Sequence, residues 1–149
     1  MSTAVSGHNL DLACPPDDVT AVHEFLASVW DTEPAVTPED RMALELALVE
    51  LTSNVIEHGV GDRGVSCSLR LDVDGDVVEV HLTDDGVPVP VDPSAARLPD
   101  ALAESGRGLA LVQMVVDDLR YERVADRNRW TVRRGLNRGS FGSSAPRSA

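Results

Sequence analysis

The chain has 149 residues, of which 42% are apolar and 26% charged, a composition typical of one folded soluble domain. Its formal net charge of -12 argues against binding to nucleic acid or to an anionic membrane. No apolar run approaches the length of a membrane span, and the N-terminus lacks the pattern of a secretion signal. We therefore expect a cytoplasmic protein with one domain over residues 8–136 and a disordered Gly/Ser-rich tail over 137–149.

The predicted elements follow from apolar periodicity. A short strand over 8–13 ends at two prolines, and Asp17 or Asp18 then caps a first helix. A Thr-Pro pair at Thr37 starts a second helix that is expected to run to about His58. The cysteines and histidines show no spacing of a metal site, so we expect buried reduced thiols and no zinc.

Alternating apolar residues with an Asp-Gly turn between them predict a hairpin over 65–82. The stretch 86–105 is rich in Pro, Asp and Ala and is expected to form a loop, which at this length is often a lid. A helix is expected to follow Gly108, and two final strands lie near 119–124 and 130–136. The order β-α-α-β-β-loop-α-β-β predicts an α+β fold, a two-layer sandwich whose mixed, mostly antiparallel sheet is covered on one face by helices.

Three groups of residues are candidates for chemistry. On the second helix Glu50, Asn54 and either Glu57 or His58 share one face, although a solvated stripe is the favoured explanation when this helix is taken alone. Period two makes Asp84 an inward position at the end of its strand, where a carboxylate needs a donor such as an adenine amino group. An acid in the turn before a loop glycine is the equally weighted alternative.

The third group is the Gly-x-Gly segment from Gly106 to Gly108, just ahead of an apolar helix. Glycines there let backbone N–H groups approach an anion at the positive end of the helix, although a simple hinge is the alternative. The order of the three groups strengthens each of them. Together they supply a metal ligand, a base-recognition residue and a phosphate cradle.

These motifs resemble those of the Bergerat-fold ATPases. The segment 50–59, ELTSNVIEHG, resembles the N-box, and its Glu and His four residues before and after Asn are typical of the anti-sigma factor serine kinases of Gram-positive bacteria. Asp84-Asp-Gly86 resembles the first glycine box, and the segment 106–111 resembles the second. The resemblance covers about residues 10–134.

The resemblance implies roles for individual residues in binding ATP and Mg²⁺. Asn54 would be a ligand of the Mg²⁺ ion, Asp84 would bind the adenine amino group, and Gly86 would allow close approach. The phosphates would lie under a lid over 87–105, against Gly106, Arg107, Gly108 and Leu109. Thr131 would contact the edge of the nucleotide.

The resemblance also implies an activity. Glu50 would be the general base that orients a protein serine hydroxyl toward the γ-phosphate. The protein would be a homodimeric anti-sigma factor that sequesters a sigma factor and phosphorylates a STAS-type anti-anti-sigma protein. Three departures from the family pattern concern transfer more than binding: Pro88 replaces a glycine, Glu104 replaces an arginine, and Arg129-Trp130 stands where a glycine would precede Thr131.

These departures leave other hypotheses open. The first is a kinase-inactive protein that binds ATP and acts only by sequestering partners. A second is a detached histidine kinase catalytic domain, which the spacing of Glu50, Asn54 and His58 disfavours. The last is an α/β domain that binds no nucleotide, which the conjunction of the three motifs disfavours.

Overall fold

The computed structural model describes residues 5–59, 64–89 and 103–136. The expected order of elements is confirmed. In chain order they are β1 (Val5–Cys14), α1 (Val19–Thr32), α2 (Pro38–Gly59), β2 (Val65–Asp74), β3 (Val77–Asp84), α3 (Ala103–Val115), β4 (Asp118–Val124) and β5 (Arg127–Gly135). The expected lid and tail fall mostly or wholly outside the described residues.

The five strands form one sheet in the order β1-β2-β3-β5-β4. All neighbouring strands pair antiparallel, so the sheet expected to be mixed is antiparallel throughout. Buried and exposed residues alternate along β2 and β3, which shows that one face of the sheet is covered and the other is open. The α+β prediction, with helices on one face, is confirmed.

Both predicted helix starts use the expected side chains. Asp18 is the N-cap of α1, and its carboxylate accepts the backbone N–H of Thr20 at 2.9 Å. Thr37 precedes α2, and its Oγ1 accepts the backbone N–H of Asp40 at 3.2 Å while donating to the Asp40 carboxylate at 2.9 Å. These bonds satisfy donors that a helix start leaves free, and they fix where α2 begins on the sheet.

The core lies between the three helices and the covered face of the sheet. Its fully buried side chains bring roughly 1.5–3 kcal/mol each in transfer free energy. From the helices they include Val22, Leu26, Leu44, Leu48, Leu51 and Leu109, and from the sheet Leu69, Leu71, Val78, Val80, Leu82 and Val132. The regular apolar stripe of α2 thus packs on the covered face of the sheet.

One buried ion pair ties three elements together. Asp40, at the start of α2, is fully buried, and its carboxylate accepts Nε of Arg134 on β5 at 3.0 Å. Arg134 also donates from Nη1 to the carbonyl of Val115, at the end of α3, at 2.6 Å. The contact ties the start of α2 and the end of α3 to β5, the strand next to one edge of the sheet.

The two cysteines are free and buried, on the covered face of the neighbouring strands β1 and β2. Burial, with nearby acids, raises the pKa of Cys67 to about 12. Its thiol is therefore a packing group at neutral pH. Among the helices in the described ranges, none combines the length and the apolar character that a membrane span requires.

Candidate functional site

Asp84 is the last residue of β3, and it is 1% exposed on the covered face of the sheet. Its Oδ1 accepts the backbone N–H of Gly86 at 2.8 Å and Nδ2 of Asn128 at 2.9 Å. Its Oδ2 accepts Nε1 of Trp130 at 3.1 Å. The inward position that alternation predicts for Asp84 is confirmed, whereas its role toward adenine stays a prediction.

The residues that follow β3 are held by side chains from β4 and β5. The hydroxyl of Tyr121 donates to Oδ1 of Asn128 at 2.5 Å and accepts the backbone N–H of Val89 at 3.0 Å. Arg123 donates from Nη1 to the carbonyl of Gly86 at 2.8 Å and to Oδ1 of Asn128 at 3.1 Å. Asn128 thus links the Asp84 carboxylate to the first residues of the loop.

Sequence reasoning missed Asn128, Trp130 and Tyr121 as members of this site. They approach Asp84 only because β3 pairs with β5, with Asp84 opposite Asn128 and Leu82 opposite Trp130. A signal for the two β5 residues was present in the alternation of Trp130 with Val132, which makes the even-numbered residues of this strand face inward. The register in which β3 pairs with β5 had no signal in the sequence.

Glu50 on α2 lies directly against the backbone of α3 at Gly108. A Cβ atom built on Gly108 would lie 2.7 Å from Oε1 of Glu50, with Cδ and Cβ of the same side chain at 3.7 and 3.9 Å. The absence of a side chain at position 108 therefore lets the carboxylate sit on the second glycine box. The structure brings together the predicted general base and one glycine of the predicted phosphate cradle.

The expected start of α3 was wrong. The helix begins at Ala103, so Gly106 and Gly108 lie in its first two turns rather than ahead of it. The segment before Gly106 contains Ala and Glu, which are good helix formers. Their helix propensity outweighs the low propensity of the two glycines, so the helix continues through them. Because only about the first four N–H groups of a helix are free, the free donors belong mainly to residues before Gly108.

Asn54 is half-buried on α2, one turn beyond Glu50 on the same face of the helix. Glu57 continues this face and is exposed. The structure describes only the backbone of His58, Gly106 and Arg107. Most of the expected lid lies outside the described residues. Their predicted roles therefore stay predictions.

The structure shows where the side chains of two predicted nucleotide contacts lie. The side chain of Leu109 is 1% exposed and belongs to the apolar core, because it lies on the face of α3 that packs inward. Thr131 lies on the open face of the sheet, where its Oγ1 is 3.4 Å from Nδ1 of His81. Since alternate residues of β5 face opposite ways, Trp130 and not Thr131 is the neighbour of Asp84.

The described residues fit a purine nucleotide better than a bare metal ion. A buried carboxylate at a strand end can accept a purine amino N–H, and Glu50 and Asn54 form a polar stripe on one face of α2. Within the described ranges, no three His, Cys, Asp or Glu side chains form a metal-binding group. A Mg²⁺ ion would accordingly depend on Asn54 together with phosphate oxygens and water.

Comparison with known proteins places the chain in a family. The family model described as "Histidine kinase-like ATPase domain" matches residues 12–134. No curated protein matches the sequence. Among solved structures, the histidine kinase domain of the blue-light activated histidine kinase from Erythrobacter litoralis EL346 is similar in fold, with a TM-score of 0.53 at 18% identity. That match covers 78% of this chain and 60% of that one, so this chain spans less than two thirds of its length. Because the family model spans most of its residues, the chain belongs to the histidine kinase-like ATPase domain family.

Proposed function

We propose that this ATP-binding domain is a protein-serine kinase that uses Mg²⁺-ATP and also acts as an anti-sigma factor. The observation that carries the proposal is the contact of the Glu50 carboxylate with the backbone at Gly108. This contact puts the proposed general base on α2 directly beside the second glycine box on α3. A base beside the phosphate site is the arrangement that transfer to a hydroxyl needs.

The roles follow from position. Asp84, buried at the end of β3, accepts the amino group of the base, and Asn54 on α2 contributes an oxygen ligand to the Mg²⁺ ion. Glu50 orients the attacking serine hydroxyl and accepts its proton. ATP and Mg²⁺ supply the transferable phosphoryl group and the neutralisation of its charge.

The proposed partners rest on the N-box spacing of Glu50, Asn54 and His58. The chain would act as a homodimer, hold a sigma factor away from RNA polymerase, and phosphorylate a STAS-type anti-anti-sigma protein on serine. The net charge of -12 agrees with protein partners rather than direct binding to nucleic acid.

Nucleotide binding is tested by thermal unfolding of wild type, Asp84→Asn and Asn54→Ala with Mg²⁺-ATP and Mg²⁺-ADP. A ligand at a hundred times its Kd stabilises the native state by about 2.7 kcal/mol and raises its melting temperature. We expect this rise in wild type, almost none in Asp84→Asn, and a rise that no longer depends on Mg²⁺ in Asn54→Ala. An unchanged melting temperature in wild type would refute nucleotide binding.

Kinase activity is tested with γ-³²P-ATP and purified STAS-domain proteins as acceptors. We expect labelled serine with wild type and a loss of about 10²–10⁴-fold in rate with Glu50→Gln, the range that a general base contributes. Glu45→Gln, on the same helix, is the matched control and is expected to transfer at the wild-type rate. Equal transfer by wild type and Glu50→Gln would show that Glu50 is not the base.

The kinase-inactive alternative is favoured by one observation, Glu104 at the position where the family kinases often carry an arginine for the γ-phosphate. It predicts saturable ATP binding and co-purification with a sigma factor, without label on any acceptor. Transfer to a single STAS-domain protein would exclude it.

A further inference from the structure

Helices α2 and α3 pack side by side in opposite directions. Near one end of this contact, Glu50 of α2 lies against the backbone of α3 at Gly108. Near the other end, Arg134 joins Asp40, at the start of α2, to the carbonyl of Val115, at the end of α3. The helices therefore share a seam that runs between these two points.

Apolar side chains border this seam toward the solvent. Leu46 is one turn before Glu50, and Leu111 is one turn after Gly108, so each faces the other helix as its neighbour does. Leu111 is 40% exposed and Leu46 is half-buried, whereas the core side chains of both helices are fully buried. The seam thus has an apolar edge on the side away from the sheet.

Two methionines extend this edge. Met42 is one turn before Leu46 and is 72% exposed, and Met114 is one turn after Leu111 and is 77% exposed. We call these four side chains, Met42, Leu46, Leu111 and Met114, the seam patch. It contains three of the six large apolar side chains that are exposed in the described part of the chain. Single exposed apolar residues are ordinary, whereas a group of them on two packed helices indicates a binding surface.

The chain leaves the fold next to the seam patch. Arg134 bonds to both helices, and the next residue, Gly135, donates its backbone N–H to the carboxylate of Asp117, just beyond α3, at 2.6 Å. Residues 137–149, which we call the C-terminal segment, therefore continue from the ends of α2 and α3 that carry the two methionines.

The C-terminal segment is long enough to cover the patch. Phe141 is its only residue with a large apolar side chain. It lies five residues beyond Leu136, and five residues can span up to about 17 Å. Along α2, Leu46 is six residues beyond Asp40, a rise of about 9 Å. Phe141 can therefore reach every member of the patch.

Charge favours this segment over a second copy of the chain. The segment holds two of the 13 basic residues, Arg138 and Arg147, and none of the 25 acidic ones. Exposed acids flank the patch, because Glu39 is three residues before Met42 on the same face of α2 and Asp117 follows α3. The basic segment is attracted to this surface, whereas a second chain with a net charge of -12 is repelled.

We propose that the C-terminal segment binds the seam patch of its own chain, with the Phe141 ring packed against Met42 and Met114. Methionine suits such a contact, because its side chain is flexible and its sulfur contacts aromatic rings favourably. The contact removes apolar surface of all three side chains from water. It involves neither a nucleotide nor a phosphoryl acceptor, so it does not depend on the proposed function.

The chain has three methionines and two phenylalanines, so NMR of the full chain can observe the contact directly. With ¹³C in the methionine methyl groups and protonated phenylalanine rings in a deuterated background, we expect NOEs from the methyl groups of Met42 and Met114 to the ring of Phe141. Phe141→Ser is expected to abolish these NOEs, and Ser143→Ala, in the same segment, is the matched control that keeps them. Wild type without an NOE between Phe141 and either methionine overturns the proposal.

Oxidation by hydrogen peroxide, followed by mass spectrometry, measures the covering of the two methionines chemically. A thioether covered by an aromatic ring meets the oxidant less often than one exposed to solvent. We expect Met42 and Met114 to be oxidised faster in Phe141→Ser than in wild type or in Ser143→Ala. Equal rates in the three proteins overturn the proposal.

A mixed sample distinguishes the segment of the same chain from that of a second copy. One half of the protein carries the labelled methyl groups, and the other half carries the protonated phenylalanine rings. We expect no NOE between the two labels, and strong NOEs in this sample would overturn binding within one chain. Each of these results leaves the proposed function standing, because nucleotide binding and phosphoryl transfer are measured separately.

Discussion

Gly108→Ala is the substitution that most directly tests the arrangement of Glu50. The added Cβ would lie 2.7 Å from Oε1 of Glu50, whereas ordinary contact begins near 3.4 Å. The carboxylate must therefore withdraw by about 0.7 Å, which is feasible because it is the end of a flexible side chain. A displacement of this size at a reacting group costs about 10–100-fold in rate.

The effect on stability has the opposite sign. Position 108 lies inside α3, where Ala is favoured over Gly by about 0.5–1 kcal/mol. We expect Gly108→Ala to melt no lower than wild type, to keep its rise with Mg²⁺-ADP, and to transfer label to the acceptor 10–100 times more slowly. Ala110→Gly, at an exposed position of the same helix, is the control, with lower stability and unchanged transfer. A stable Gly108→Ala variant that transfers at the wild-type rate would refute the reasoning.

Three further predictions follow from the fold. Arg134→Met leaves a fully buried aspartate without its cation and is expected to cost about 3–5 kcal/mol in denaturant unfolding, whereas Arg120→Met, which removes an exposed pair, costs less than about 0.5 kcal/mol. Similar losses for the two variants would contradict this. Thr131→Val changes the open sheet face and is expected to keep the full nucleotide-induced rise in melting temperature. Loss of this rise would show that the Thr131 hydroxyl contacts the nucleotide. Because burial raises the pKa of Cys67 from 9.0 to about 12, the unfolded chain loses that proton first. The free energy of unfolding then falls between about pH 9 and pH 12, by up to about 1.4 kcal/mol per pH unit, and Cys67→Ala should flatten this slope. A slope unchanged in that variant would show that another group causes it.

Local signals in the sequence predicted most of the fold. The Thr-Pro start at Thr37 and the cap at Asp18 are properties of neighbouring residues, and both hold. Alternation likewise predicted that Asp84 faces inward. The start of α3 could not be predicted in this way, because its glycines argue for a break while the residues before them argue for a helix, and the helix prevails.

Local patterns in the sequence could not predict which residues surround Asp84. Its donors Asn128 and Trp130 lie more than forty residues away, and only the pairing of β3 with β5 makes them neighbours. The contact of Glu50 with Gly108 depends in the same way on how closely two helices pack. Trp130, and not Thr131, is the residue of β5 that faces Asp84. A position in a motif does not show which face of the sheet a residue takes, unless the alternation along the strand is also counted.

The pairing of β3 with β5 also has a consequence for folding. The hairpins β2–β3 and β4–β5 are each local in sequence, but they are joined only by a connection that includes α3. Local pairs close early and non-local ones late, since chain entropy opposes long loops. Asp84 belongs to one hairpin and Asn128 with Trp130 to the other, so we expect the acid to gain these two donors only when the hairpins join. A partly folded chain that contains both hairpins unjoined would therefore lack the hydrogen-bonded surroundings of Asp84 on which the proposed nucleotide site depends.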